Sequence, residues 1–157
     1  MEKNLIGIEA GKAAQLAEKL NQLLANYQLF YINARGFHWN ISGDKFFELH
    51  AKFEELYTDA VVKVDEIAER ILTLGHTPFH TFTAYLEHAT IKEASNTSDG
   101  RKAVEAVLHG FSTLIAAERE LLELSGEAND EGTNALMSDY IREQEKLVWM
   151  YSAYLKG

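Results

Sequence analysis

Four side chains in the second quarter of this chain have the types and the spacing to do chemistry: His50, Glu54, Asp65 and Glu69. His50 with Glu54, and Asp65 with Glu69, are each four residues apart. On a helix that is one turn, the separation at which two side chains reach one hard or borderline metal ion such as iron or manganese. With His50 at zero and about 100° per residue, Glu54 lies near 40°, Asp65 near 60° and Glu69 near 100°, so the set shares a face. Tyr57, Val61, Ala68 and Leu72 fall within about 60° of His50 on the same helical wheel. The face is too apolar for a simply solvated surface and reads as a contact face that contains ligands.

The two pairs cannot close on one ion within a single subunit, because eleven residues, about 16 Å of helix, separate them. Yet positions 50 and 69, and positions 54 and 65, share the midpoint 59.5. Antiparallel self-association about that point would bring His50 and Glu54 of one copy near Asp65 and Glu69 of the other, and a two-fold axis would generate two such sites. Acidic residues and a histidine on a helix face are more often solvated or salt-bridged than metal-binding. His38, followed by Trp39 and Asn40, adds weight to the metal reading, since a turn after it could return the chain so that His38 and His50 approach each other.

Long helices are needed to hold these residues. Leu16, Leu20, Leu23, Tyr27, Phe30, Ala34 and Phe37 follow steps of four and three, which predicts a first helix over roughly 9–38. Asn40, Ser42, Gly43 and Asp44 form a turn cluster that also offers helix N-caps. Phe46, Leu49, Phe53, Leu56, Ala60, Val64, Ile67, Ile71 and Leu74 trace the second helix, and Gly75 stops it. Thr77 to Gly100, broken by Pro78, reads as a long connection with one short helix around Phe82 to His88. Ser98 or Asp99 can cap a third long helix carrying Val104, Leu108, Phe111, Ile115 and Leu122, ending near Gly126. A fourth, about Glu131 to Lys156, carries Leu136, Tyr140, Leu147, Tyr151 and Tyr154. The fold expected is all-α: an up-down four-helix bundle with a long crossover between helices two and three.

The composition agrees. The 157 residues suit a single domain over 1–157, with 46% hydrophobic and 25% charged residues, a single Pro and ten Gly. The absence of Cys removes disulfides, thiolate zinc sites and thiol catalysis. No signal peptide and no run of about 18 apolar residues is found, which makes the cytoplasm the expected address and a membrane an unexpected partner. Twenty-four acidic against fifteen basic residues leave a net charge of −9, which attracts cations and opposes a phosphate-binding surface.

The segment FHWNISGDKFFELHAKFEELYTDAVVKVDEIAERI resembles the iron-site segment of the Dps family, ferritin-like mini-ferritins named as DNA-binding proteins from starved cells. His38, His50, Glu54, Asp65 and Glu69 fill its pattern of His, eleven residues, His, three residues, a carboxylate, ten residues, Asp, three residues, Glu. The closing KLVWMYSAYL resembles the family's last helix, so the resemblance covers all but the first few residues. It implies a ferritin-like homododecamer with a two-iron site at each two-fold interface, a ferroxidase that oxidises Fe(II), usually with hydrogen peroxide, and stores ferric mineral against oxidative stress. By carry-over, Asp65 and Glu69 of one subunit would be the tighter iron ligands and His38, His50 and Glu54 of its partner would complete the site. The family commonly has Asp where this chain has Glu54. The Glu-x-x-His spacing of classical ferritins is absent, which disfavours their centre within one bundle.

The remaining candidates carry less. Trp39 could intercept oxidising equivalents or pack at the interface. His76 and His80 flank Pro78 and read as connection residues, while His88 and His109 read as surface or packing histidines. Glu118 falls on the core stripe of helix three, where burial demands a partner, from Arg119 or a neighbouring subunit. Glu127, Asp130 and Glu131 lie where the family places its three-fold pores, but acidic residues also suit a helix N-terminus. The opening MEKNLIGIEAGK holds only two Lys and the charge is −9, so DNA binding is expected to be weak or absent. The competing reading is a non-catalytic DNA-compacting or structural metal-binding helical assembly.

Overall fold

Periodic apolar residues bury one side of each long helix in the computed structural model, which describes residues 2–157. Five helices follow in order: α1 (Ala10–Asn40), α2 (Phe46–Thr73), α3 (Phe82–His88), α4 (Gly100–Glu127) and α5 (Glu131–Leu155). Every residue of the stripe predicted for α1 is buried, and in α2 only Phe46 and Val64 are partly exposed. In α4 the predicted Val104 and Phe111 are buried, together with Ala103, Val107, Gly110, Leu114, Glu118, Leu121 and Ser125, whereas the predicted Leu108, Ile115 and Leu122 lie about one residue off this face and are only partly buried. In α5 it is Thr133, Met137, Tyr140, Ile141, Gln144 and Tyr151. Polar residues inside both faces hid them from a hydrophobic count.

The helix ends follow local chemistry. α1 runs to Asn40, two residues past its expected end, so His38 sits in its last turn. None of Asn40, Ser42 or Asp44 caps α2 through its side chain; Lys45 is the N-cap residue. Gly75, at φ +90°, lets the Gly75 and His76 amides bond back to Leu72 and Ile71 and close α2. Asp99, Thr81 and Asp130 cap α4, α3 and α5 by accepting from Lys102, Ala84 and Thr133.

Lys12 reaches the Glu127 carbonyl at 3.2 Å, so α1 and α4 are antiparallel. Leu49 packs on Gly100, so α2 and α4 start at the same end and run parallel. The crossover therefore carries the chain the length of the bundle. Three asparagines on α1 fasten it. Asn21 donates to the Thr77 carbonyl and accepts from Phe79 N–H; Asn26 accepts from Thr90 and Ile91; Asn33 donates to the Lys92 carbonyl and accepts from Ala94.

The bundle's middle layer is polar. Tyr27 donates to Glu118 Oε2 at 2.5 Å, and Gln144 donates to the Tyr27 hydroxyl. Glu118 is fully buried, and its partner is this tyrosine from α1; Arg119 points away to pair with Glu145. Burial pushes the Glu118 carboxyl up to about 7, against the opposing pull of Tyr27, Gln144 and the Lys63 charge. Burial likewise raises the Tyr27, Tyr140 and Tyr151 hydroxyls above the usual phenol range.

Candidate metal centre

The end of α1 and the start of α2 bring His38 and His50 into contact. Their rings stack with centroids 3.8 Å apart at 13°. Each Nδ1 lies 2.7 Å from the other residue's backbone carbonyl oxygen. A carbonyl can only accept, so each Nδ1 must carry the proton. In the neutral rings the lone pairs then sit on Nε2. Fixing a ligand's tautomer through its second nitrogen is the usual means of orienting a metal-binding histidine.

Aromatic neighbours hold the pair in place. Phe46 stacks on His50 at 4.9 Å, and Tyr57 meets the edge of His38 at 5.3 Å. Arg35 lies over Tyr57 at 4.9 Å and Trp39 at 5.1 Å, and donates to the Tyr31 hydroxyl. Phe46, Tyr57 and Arg35 are supports that the ligand spacing did not reveal. Their signal was position, since Phe46 lies one turn before His50 and Arg35 four residues from both Tyr31 and Trp39.

Glu54 lies beside the His38–His50 cluster. Its Oε1 lies 3.8 Å from His38 Nε2. That separation is too long for a hydrogen bond. With the proton on Nδ1, two Lewis bases face each other, an arrangement that favours a cation between them. Imidazole nitrogens and a carboxylate oxygen suit a borderline ion such as Fe(II). The donor types and the unprotonated Nε2 atoms are compatible with such an ion, but these residues of one protomer do not by themselves form a site.

Asp65 and Glu69 are not part of that cluster. Both are exposed on α2, further along the helix and past Val61, with the exposed Leu72 beyond them. Among the described residues, no group of three or more His, Asp or Glu side chains within one protomer is arranged to hold an ion. His76, His80 and His88 are exposed; His88 leans on Phe79 at 4.4 Å. Asp130, one of the acidic residues noted at the start of α5, is wholly committed elsewhere. It is buried, accepts from Thr133 and pairs with Arg70 at 2.6 Å, while Glu127 and Glu131 remain exposed.

The arrangement has relatives. The ferritin-like domain family matches residues 17–157. A DNA protection during starvation protein from Porphyromonas gingivalis is 43% identical over 94% of this chain and 93% of its own length. The crystal structure of a Dps protein from Vibrio cholerae O1, described as a member of a broad superfamily of ferritin-like diiron-carboxylate proteins, is similar with a TM-score of 0.97. It is 59% identical, covering 99% of this chain and 98% of the other. A Dps protein from Bacillus brevis is 37% identical with a TM-score of 0.90, over 94% and 99% of the two chains. The five-helix order, the His38–His50 lock and these likenesses agree, and the chain belongs to the Dps family of ferritin-like proteins.

Proposed function

We propose that the protein is a ferroxidase and iron store whose metal sites are completed across a two-fold subunit interface. The observation that carries this is the reciprocal His38–His50 lock, which leaves the lone pairs on both Nε2 atoms and sets that of His38 3.8 Å from Glu54 Oε1. Asp65 and Glu69 of a second copy supply the missing carboxylates, as their mirrored positions along α2 allow. The exposed apolar side chains Trp39, Val61 and Leu72 around these ligands suit burial between copies.

Fe(II) is substrate here. Carboxylates of Asp65 and Glu69 favour the ferric over the ferrous state and so assist electron loss, while the imidazoles of His38 and His50 hold the incoming ferrous ion. Hydrogen peroxide, the oxidant we assign, takes one electron from each of two Fe(II) ions and two protons to give two waters. The acidic excess then serves to attract iron and to seat ferric mineral within a closed, cytoplasmic homododecamer built from the whole chain. The relatives' name concerns DNA protection, but at −9 per chain direct duplex binding is expected to be weak.

Anaerobic Fe(II) titration followed by peroxide tests the chemistry. Fast ferric absorbance should appear and be lost in Asp65→Ala. Its absence from the unmodified protein, or its survival in the variant, would defeat the proposal. Native mass with and without Fe(II) tests the shell, and a salt-resistant mobility shift near neutral pH would overturn the DNA expectation.

A further inference from the structure

The polar layer at the bundle centre takes no part in the iron chemistry proposed above, yet a row of aromatic rings joins the two. Tyr57 meets the edge of His38 at 5.3 Å, and Tyr31 meets Tyr57 at 6.2 Å. Tyr27 lies four residues before Tyr31 on α1, where side chains of one helix face stand about 5–6 Å apart. Every step of the row is close to ring contact, short enough for an electron to pass from one ring to the next.

The charges along the row differ. The Arg35 guanidinium lies 4.9 Å from the Tyr57 centroid, 5.1 Å from that of Trp39 and 5.9 Å from that of Tyr31, and it donates to the Tyr31 hydroxyl at 2.5 Å. A cation so placed opposes the loss of an electron from any of these rings, because it repels the positive charge left behind. Tyr27 has the opposite surroundings. Its hydroxyl donates at 2.5 Å to Glu118 Oε2, both residues are buried, and Gln144 donates to the same phenol oxygen. Oxidation turns a phenol into a strong acid, and a carboxylate already in hydrogen-bond contact takes the proton with no movement of the fold. Glu118 suits that task, since burial makes it a stronger base than an ordinary carboxylate and no donor reaches its Oε1. The next ring, Tyr140, stands 6.1 Å from Tyr27 but lies 4.9 Å from the Lys63 ammonium, so the row ends at Tyr27.

We propose that Tyr27 is a redox-active residue, an electron donor that quenches one-electron oxidants arising at the iron site, with Glu118 as the acceptor of its proton. This role rests on the function proposed above, which supplies the oxidant. Where hydrogen peroxide meets a single Fe(II), one electron is transferred and the products are Fe(III), hydroxide and a hydroxyl radical. The radical takes an electron from Tyr57 and becomes hydroxide. The electron deficit passes through Tyr31 to Tyr27, whose O–H bond breaks as an O–H bond forms on Glu118. A second Fe(II) then returns an electron along the row and Glu118 returns the proton. The phenol is restored, and one peroxide has given two Fe(III) and two hydroxides. Burial keeps the intervening phenoxyl radical away from solvent.

The test reads tyrosyl radical by electron paramagnetic resonance in the assembled protein. In one arm, photogenerated ruthenium(III) tris-bipyridine is the oxidant and iron is absent. In the other, one Fe(II) per chain is loaded anaerobically and hydrogen peroxide is added before freezing. Both arms should give a tyrosyl signal that is lost in Tyr27→Phe and kept in Tyr85→Phe. Glu118→Gln, which can accept the phenol's hydrogen bond but not its proton, should lower the signal about tenfold or more. Ferric absorbance should still develop in Tyr27→Phe, and Tyr31→Phe with Tyr57→Phe should lower the signal in the iron arm. No tyrosyl signal in the ruthenium arm, its survival in Tyr27→Phe, or the parent's yield in Glu118→Gln overturns the proposal. So does a protein that forms ferric iron and responds to ruthenium but gives no radical with peroxide. Absence of ferric absorbance from the unmodified protein defeats the ferroxidase reading instead, and the ruthenium arm then decides the role of Tyr27 by itself. Should Tyr27→Phe fail to fold, the comparison with Glu118→Gln decides.

Discussion

Replacing Glu118 by Gln should remove a pH dependence from the fold and stabilise it in alkali. The folded state holds this carboxyl at about 7 through burial, whereas its ordinary value is 4.5. Between those values the folded chain keeps a proton that the unfolded chain has released, so stability falls as pH rises from 4.5 to about 7. Below that window the favourable contribution is fully present; above it, it is lost. At about 1.4 kcal/mol per tenfold change in proton affinity, the loss is about 3 kcal/mol, or roughly 6–12 °C in Tm for a chain of this size. The amide introduced by Glu118→Gln would still accept from Tyr27, and its N–H could serve Gln144 Oε1, which has no donor. Thermal melts of both proteins at one chain concentration, from pH 5 to 8.5, cancel titrations that the two share. The variant should lack this component of the fall and exceed the unmodified protein at pH 8. Parallel curves across the window, or a variant weaker at pH 8 than at pH 5 by as much as the parent, would refute the reasoning.

Four other outcomes follow from the geometry. His38→Ala or His50→Ala should weaken Fe(II) binding about 10–100-fold in anaerobic titration, with the remaining ring still held by a backbone carbonyl. Arg70→Ala leaves the buried Asp130 carboxylate without its cation and should cost about 3–5 kcal/mol in denaturant unfolding. Gly132→Ala, whose Cβ would fall 2.6 Å from Arg70 Nη1, displaces the same guanidinium and should cost about 1–3 kcal/mol in the same assay. Asn26→Ala strips the acceptor from two amides and should cost about 1–3 kcal/mol, with faster hydrogen exchange at Thr90 and Ile91.

Legibility in the sequence varied with the kind of force involved. The helices and the crossover could be read because apolar burial repeats every three or four residues, and Gly75 and Asp99 act through their nearest neighbours. The approach of His38 to His50 was legible as a possibility, since the turn between them is short. The reciprocal carbonyl lock was not, because it depends on the register of α1 against α2. Lys63 and Gln144 were invisible to a hydrophobic pattern, and Glu118 was visible only as a misfit. Apart from Asp59, one turn before Lys63 on α2, their partners lie on other helices, up to 117 residues away in the case of Tyr27 and Gln144. Asp130 looked available because acidic residues near a helix start are ambiguous until the neighbour, here Arg70, is seen.

The asparagine fastenings of the crossover also bear on the order in which the chain closes. α1 with α2, and α4 with α5, are hairpins of neighbouring helices that can form over short loops. The bonds from Asn21, Asn26 and Asn33 join residues 56 to 65 apart and consist of single amides on a largely exposed segment. Such contacts return little until the loop they close is already short. We therefore expect the two hairpins to form early and the crossover to dock late. In the native state the same segment would open most readily, a seam along which the bundle can loosen while both hairpins stay intact.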